Sequence, residues 1–454
     1  MKKILREAGL VVVGALVLSA PALAQTVVDR SRRSTSNANG QDLSLSLDIT
    51  EAYDQDVMTR LGGVPLPVFQ GSGPYTMLTP QLDFQTHGGR VQLGITAGSS
   101  LRYYQDLSLF AAASHTAGVG MTAALTPKTS LSIGQSLGYS PALFNGLFAS
   151  VAAPTPGNAA PPSSNYLMGA QSFSTATTVG LTHKFTTRAA LLLTGGYHYD
   201  HFTADIPGYS DVQSQEGGGR FTYSMSRGVH LRLGYTYKQG QYVGSPQTIE
   251  HNADIGVDYV RVLSRTRKTT FAFSLGPTYA NGALQAGALQ NQGSLINIPD
   301  AGSLILGSVH DVRKQFRVVG DASLVHQLNR TWDLKGTYHR GLGYIEGFSG
   351  PVFTAAYAAS AGGSLSRRTD LSLSAAYSTG ESALVGVADQ FTTYTGDARL
   401  RFMVNKVWAT YVEYLFYYYE FGPGISLPPG VPPGLTRNGV RVGLTMLMPV
   451  MRHR

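Results

Sequence analysis

The chain has 454 residues, 14% of them charged, with a formal net charge of +8 and no cysteine. The absence of cysteine excludes disulfide and thiol chemistry. The basic residues are scattered, so the positive balance does not indicate a nucleic-acid partner. Beyond residue 24 the sequence has no apolar run of the about 18 residues that a membrane helix requires.

The N-terminus has the layout of a secretory signal peptide. Lys2, Lys3 and Arg6 form a basic start, Leu10–Leu18 is apolar, and Ala22–Ala24 offers a cleavage site of small residues. The apolar run is too short to span a bilayer as a helix, and no cysteine follows it to accept a lipid anchor. We therefore predict a signal peptide over residues 1–24.

The next residues are polar and lead into the rest of the chain. Residues 25–41 contain Arg30, Arg32 and Arg33 followed by Ser, Asn and Gly, which predicts a disordered periplasmic N-terminal segment. Residues 42–454 are assigned to one domain.

That domain carries a repeat. Clusters of small polar residues recur about every 40 to 60 residues, and two stretches of alternating apolar and polar residues lie between consecutive clusters. The clusters are centred on Gly89, Lys128, Thr187, Arg227, Thr266, Arg330, Arg368 and Lys406. Short turns at one end and longer Gly/Pro-rich loops at the other predict an all-β, transmembrane, antiparallel up-and-down β-barrel, because a closed barrel satisfies every backbone group in lipid.

The repeat also predicts the strand number. Two strands per hairpin give about 18 strands, or about 16 if the first hairpin, over residues 42–54 and 76–86, does not form. The last strand, over residues 438–450, closes the sheet. Either count leaves a lumen wide enough for water.

Alternation assigns the two faces of each strand. Leu231, Leu233 and Tyr235 fall on one face, suited to lipid, and His230 and Arg232 on the other, suited to water. The predicted lumen-wall residues are Arg188, His198, Asp200, His230, Arg232, Lys238, Asp254, Asp258, Arg317, Asp321, Asp333, Lys335, His339, Asp397, Arg399, Arg401 and Glu413. Such charges pair across strands and set the field that sorts ions. The positive net charge favours anionic solutes mildly.

Aromatic residues on the apolar face indicate two girdles at the membrane interfaces. Both tryptophans directly follow a short turn, and several tyrosines lie further along their strands. The predicted girdle residues are Trp332, Trp408, Tyr139, Tyr197, Tyr235, Tyr279, Tyr338 and Tyr377.

Three loop regions carry no charge: residues 141–166, 282–298 and 422–436. Their Pro/Gly content favours flexible, low-complexity surface loops. Two other interpretations stay open: a loop that folds into the barrel and constricts it, or a loop that meets a surface polymer or partner.

Catalysis receives little support. His198, Asp200 and His201 form the strongest candidate cluster, but adjacent strand residues point to opposite faces and no second cluster completes a site. A lumen-wall pair of His198 with Asp200 is the preferred interpretation. We expect no enzyme, no metal site and no cofactor.

Two short patterns resemble known families. Arg441, Gly443, Met446 and Met448 resemble the C-terminal signal of Gram-negative outer-membrane barrels, although residues 450–454 replace the usual terminal Phe. This resemblance implies the outer membrane as the location and the barrel-assembly machinery as a partner.

The second pattern lies in two repeats. Arg368–Leu371 leading to Tyr377, echoed by Arg330–Leu334 leading to Tyr338, resembles β-barrel porins that are often encoded beside exopolysaccharide systems. The resemblance implies a porin fold and an exopolysaccharide context.

The sequence therefore predicts a monomer-capable porin-like channel in contact with outer-membrane lipid, through which small hydrophilic solutes pass passively. An outer-membrane conduit for export of a surface polysaccharide, served by periplasmic components, is an alternative. A non-conducting structural or adhesive barrel is another.

Overall fold

The computed structural model describes residues 40–56, 73–104, 111–142, 168–203, 210–264, 266–283, 312–345, 348, 350–383, 390–422 and 433–453. The predicted signal peptide and almost all of the predicted disordered segment lie outside them. The described residues contain no helix that is long and apolar enough to cross a membrane.

Eighteen strands account for nearly all described residues. In chain order they are β1 (Gly40–Asp56), β2 (Gly73–His87), β3 (Val91–Tyr104), β4 (Ala111–Thr126), β5 (Thr129–Ala142), β6 (Met168–Lys184), β7 (Ala189–Phe202), β8 (Val212–Ser224), β9 (Val229–Tyr242), β10 (Thr248–Ser264), β11 (Arg267–Ala283), β12 (Val312–Gln327), β13 (Asp333–Gly343), β14 (Val352–Ser364), β15 (Thr369–Ser382), β16 (Gln390–Met403), β17 (Trp408–Phe421) and β18 (Gly434–His453).

The strands form one closed antiparallel sheet. Each strand pairs with the next in sequence, and β1 pairs with both β2 and β18. The fold is therefore the predicted up-and-down barrel with 18 strands. The alternative of 16 strands is wrong because the first hairpin is part of the sheet. β1 starts at Gly40, so the barrel begins two residues before the predicted boundary at residue 42.

Side-chain chemistry explains the recurring polar turns. The Thr186 hydroxyl accepts hydrogen bonds from the amides of Arg188 (3.1 Å) and Ala189 (2.9 Å). The Asn405 side-chain oxygen does the same for Val407 (2.8 Å) and Trp408 (2.9 Å). A short polar side chain that caps two amides stabilises a tight reversal. Each of these turns therefore reverses the direction of the chain within a few residues.

The outer face of the barrel is apolar and exposed. Leu233 and Ile255 are 55% and 59% exposed, and Val412 is 52% exposed. Exposed apolar side chains around a whole sheet are unfavourable in water but match a hydrocarbon environment. The sheet therefore has the face expected of a transmembrane barrel.

The predicted girdle residues lie on this outer face. Trp332 and Trp408 stand at the short-turn end, next to β13 and at the start of β17. Toward the long-loop end, tyrosines of neighbouring strands make a row of ring contacts, such as Tyr338 with Tyr357 at 4.8 Å and Tyr377 with Tyr394 at 4.9 Å. By register, the predicted girdle residues Tyr139, Tyr197, Tyr235 and Tyr279 face the same way.

Candidate functional site: a charged lumen wall and an inward strap

Contacts between strands that are not neighbours identify the inner face. Arg399 of β16 lies 3.6 Å from Asp48 of β1, although β17 and β18 separate the two strands. Phe348 packs in one cluster with Tyr242 of β9 and Phe421 of β17, which stand on nearly opposite sides of the barrel. Such contacts form across the concave side, so these residues face the lumen.

The strand registers place the predicted lining residues relative to this face. Arg188 lies in the turn before β7 and not on a strand, because its amide donates to the Thr186 hydroxyl within the turn and β7 begins only at Ala189. The remaining predicted positions lie on inner-face strand positions: His198, Asp200, His230, Arg232, Lys238, Asp254, Asp258, Arg317, Asp321, Asp333, Lys335, His339, Asp397, Arg399, Arg401 and Glu413.

One charged sector of the wall lies on β7–β10. Arg232 is 3.2 Å from Asp258, and Arg220 is 3.9 Å from Asp254. His198 Nε2 is 2.7 Å from Asp200. His198 and Asp200 share a strand, and Arg232 and Asp258 sit on neighbouring strands. Arg220 on β8 instead reaches over β9 to Asp254 on β10. The charges of this sector therefore neutralise one another locally.

A second charged sector lies on β15–β18 and β1. Arg399 stacks over the Tyr411 ring at 3.7 Å and lies 3.9 Å from Glu413. Glu413 is also 3.5 Å from Arg441, which is only 5% exposed. Arg401 bonds to Asp370 at 2.8 Å. Removing Arg441 or Glu413 is expected to be strongly destabilising, because it leaves the buried charge of its partner uncompensated.

The second sector includes residues that the sequence prediction missed. Asp48 accepts hydrogen bonds from Thr50, Tyr411 and Thr445, each at 2.7 Å. Asp48 alternates with the apolar neighbours Leu47 and Ile49, which is the same signal that revealed the other wall residues. The alternation on β1 was therefore sufficient to find Asp48.

Between the charged sectors, the inner face of β4–β6 is uncharged where the structure describes it, apart from Lys184 at the short-turn end of β6. Its positions hold small residues, Ser, Thr, Gly and Ala: Ser114, Thr116, Gly118, Gly120, Thr122, Ser130, Ser132, Gly134, Ser136, Gly138, Ser140, Ser172, Ser174, Ala176, Thr178, Gly180 and Thr182. The fixed charges of the wall are thus grouped on particular strands.

At its long-loop end β13 separates from β12 and turns inward, while β14 remains paired with β15 as far as Val352 and Ser382. Pairing of β12 with β13 ends at Gly320 and Arg340, so residues 312–319 pair only with β11 in the described part of the sheet. Beyond this point Leu342 and Phe353 are 5% and 3% exposed and pack inside with Val319. On a regular strand, the positions of Leu342 and Phe353 would face lipid. The end of β13 has therefore moved into the lumen.

We call the described residues Tyr344, Ile345 and Phe348, which connect β13 to β14, the strap. Ile345 and Phe348 are both 4% exposed. They fill a cluster of inward-facing apolar side chains from both sides of the barrel: Phe202, Val212, Tyr242, Val352, Phe391, Tyr419, Phe421 and Leu435. Burying these apolar groups on an otherwise polar inner face holds the strap across the lumen.

Polar contacts fix the position of the strap. The Tyr242 hydroxyl donates to the Ile345 carbonyl (3.2 Å) and accepts from the Ile345 amide (3.0 Å). The Lys238 ammonium donates to the Leu342 carbonyl (3.3 Å) and lies 5.1 Å from the Tyr344 ring centre. The Tyr344 hydroxyl donates to the Thr248 carbonyl (3.4 Å). Burial raises the pKa of the Tyr344 phenol, which keeps this donor protonated.

The sequence prediction missed the strap. Its signal is a pair of apolar or aromatic residues, Tyr344-Ile345, followed by Phe348 in a connection between strands. The sequence instead predicts a constricting segment, as one interpretation, in the uncharged loops 141–166, 282–298 and 422–436, whose central residues lie outside the described part of the chain. The interpretation of a constricting loop among these three therefore stays a prediction.

The candidate catalytic cluster is divided between the two faces. His198 and Asp200 point inward, while His201 points outward and lies 2.7 Å from Asp211. No group of three or more His, Cys, Asp or Glu within the described ranges could hold a metal ion. The geometry brings no nucleophile, base and third residue together at this place.

Comparison with known proteins finds likeness in three dimensions only. No protein-family model and no curated protein matches the chain. Pseudomonas aeruginosa OccK11 (OpdR) is similar with a TM-score of 0.41 and 12% identity, over 90% of this chain and 96% of that one. Acinetobacter baumannii OccAB1 gives 0.42 and 11%, over 90% and 97%. P. aeruginosa OprD gives 0.39 and 12%, over 90% and 96%.

Proposed function

We propose that this chain is a porin-like outer-membrane channel through which small hydrophilic solutes pass passively. The supporting observation is a closed barrel whose inner face carries dense charged and hydroxyl groups while its outer face is apolar. A polar inner wall keeps a lumen of this size filled with water. The strap narrows that lumen and sets the size of the solutes that pass.

The outer-membrane location rests on two features. The predicted signal peptide directs export, and the exposed apolar face with aromatic residues near both ends fits a bilayer. Barrel-assembly machinery and membrane lipid are accordingly the proposed partners. An exopolysaccharide context rests on the sequence resemblance alone.

The wall charges favour weak rather than strong ion selectivity. Arg232, Arg399 and Arg401 each lie close to a carboxylate, so their fields are partly cancelled. The net charge of the whole chain therefore overstates any preference for anions. We therefore propose a weak ion selectivity that decreases further at high salt.

Reconstitution of the purified full chain tests this proposal. In planar bilayers we expect discrete conductance steps, and liposome swelling should be fast with small sugars and slow with larger oligosaccharides. A correctly folded protein with no conductance and no swelling would contradict the proposal and favour the structural or adhesive barrel. Passage of long polysaccharide at the rate of small sugars would favour the export conduit.

A further inference from the structure

The lipid-facing side of β12–β16 contains a groove. Gly336, Ala359, Ala375 and Gly396 lie side by side on four consecutive strands, in one row of paired positions. They line a recess of about 740 Å³ together with larger neighbours. A Cβ atom added at Gly336 would meet nothing within 4 Å. The outer wall is therefore locally hollow at a height where a barrel normally meets acyl chains.

Aromatic and aliphatic side chains surround this groove. Leu324 and Phe416 close its two ends, as the next residues in the same row. The row on its long-loop side consists of Tyr338, Tyr357, Tyr377 and Tyr394. The groove thus has an apolar floor and a border of phenols on its long-loop side, the side expected to face the outside of the cell.

A cationic side chain, Arg340, lies at the β13 end of this tyrosine row. Arg340 follows Tyr338 by two residues on the outer face of β13. Arg340 is also the last residue of β13 that pairs with β12 before β13 turns inward. A guanidinium on a lipid-facing surface is unfavourable unless it reaches the interface or meets an anion.

We propose that this groove binds a phosphate-bearing glycolipid of the outer leaflet, with one acyl chain along the small-residue row and a phosphate on Arg340. Charge complementarity favours this occupant over a second copy of the chain. Arginine and phosphate form paired, charge-assisted hydrogen bonds, whereas the groove is a recess that a second convex barrel wall would not fill. The site depends on the membrane location and is independent of conductance.

Native mass spectrometry of the detergent-purified full chain, titrated with diphosphorylated lipid A, tests the proposal. We expect Arg340→Gln to weaken lipid retention about tenfold, the effect of losing one charge-assisted contact. Gly336→Leu, which fills the groove without a clash at its Cβ, should weaken it as well. Gly217→Leu and Arg261→Gln are the matched controls. Each changes an outward-facing residue elsewhere on the barrel, and a Cβ at Gly217 also meets nothing within 4 Å.

The outcomes are distinguishable because heat-modifiable gel migration shows whether each variant has folded. Equal lipid retention by wild type, Arg340→Gln and Gly336→Leu would overturn the proposal, since the lipid would then be a non-specific annulus. Retention that depends on Gly336 but is equal for lipid A and its dephosphorylated form would overturn the role of Arg340. A mass for two or more copies that Gly336→Leu abolishes would overturn the lipid occupant in favour of self-association.

Discussion

The Tyr242 hydroxyl binds both backbone groups of Ile345, donating to its carbonyl at 3.2 Å and accepting from its amide at 3.0 Å. One side chain on β9 therefore provides hydrogen-bond partners for the backbone amide and carbonyl of a residue that does not pair within the sheet. Both partners are buried, Tyr242 at 1% and Ile345 at 4% exposure. A buried backbone group that loses its partner costs about 1–3 kcal/mol. This contact is thus a major element of the strap's anchoring.

Replacing Tyr242 by Phe removes the hydroxyl but keeps the ring. We expect the Ile345 amide to exchange its hydrogen faster, by about tenfold or more, because about 1–3 kcal/mol of local stabilisation is lost. Hydrogen exchange with mass spectrometry measures this. Tyr235→Phe, which removes an outward hydroxyl bonded to His251, is the control and should leave Ile345 unchanged. Unchanged exchange in Tyr242→Phe would show that apolar packing alone holds the strap.

Leu233 and Leu373 face lipid, at 55% and 41% exposure. Replacing either by Arg should destabilise the barrel by about 2–4 kcal/mol if the site is near the midplane, because a guanidinium is forced into hydrocarbon. Urea titration in lipid vesicles gives the free energy of unfolding. Ser374→Arg, at an inner-face position next to Leu373, is the matched control and should be tolerated. Equal losses at Leu373 and Ser374 would contradict the assignment of faces.

Charge reversal on the inner wall should change ion selectivity. In the triple variant Arg232→Glu, Arg399→Glu and Arg401→Glu, three positive charges of the wall become negative. The carboxylates that pair with these arginines in the wild type then have no counter-charge. The reversal potential in a salt gradient should shift toward cations, since charged groups in a pore wall govern permeation. The shift should shrink in roughly molar salt, where screening acts over about 3 Å.

Arg368→Glu provides the control for this reversal, because Arg368 lies in a short turn outside the strands. It should leave the reversal potential unchanged. A folded triple variant with wild-type selectivity at low salt would exclude these arginines as groups that set the field.

The asymmetry of connections predicts the orientation of the barrel. Short turns such as the one at Arg368 should face the periplasm and long connections the outside, as in outer-membrane barrels. An epitope tag at Asn158 or Gly287 should bind antibody on intact cells, and one at Arg368 should bind only after permeabilisation. The reverse labelling pattern would mean that the barrel is inserted the other way.

The sequence was sufficient for the architecture because the signals involved are local. Period-two alternation assigns Leu233 outward and Arg232 inward without knowledge of the rest of the chain. Likewise, turn formers such as Thr186 and Asn405 act on amides two and three residues away. The closure of the sheet then follows from the need to pair every strand edge in lipid.

The strap could not be predicted in the same way. Phe348 is stabilised by Phe391 and Phe421, which are distant in sequence and are brought near only by closure of the barrel. The same holds for Arg399 and Asp48, whose strands are separated by two others. Contacts of this kind depend on the three-dimensional arrangement, and no local pattern specifies them.

The most direct test of the channel account is the single-channel conductance of the wild type and of a variant in which Ile345 and Phe348 are both replaced by Gly. These two side chains join the opposite walls through the apolar cluster, so their removal should free the strap and widen the narrowest part of the lumen. We predict a measurable wild-type conductance and a several-fold larger one in the variant. Equal conductance in two folded proteins would contradict the role of the strap as the constriction, and no conductance in either would contradict the channel itself.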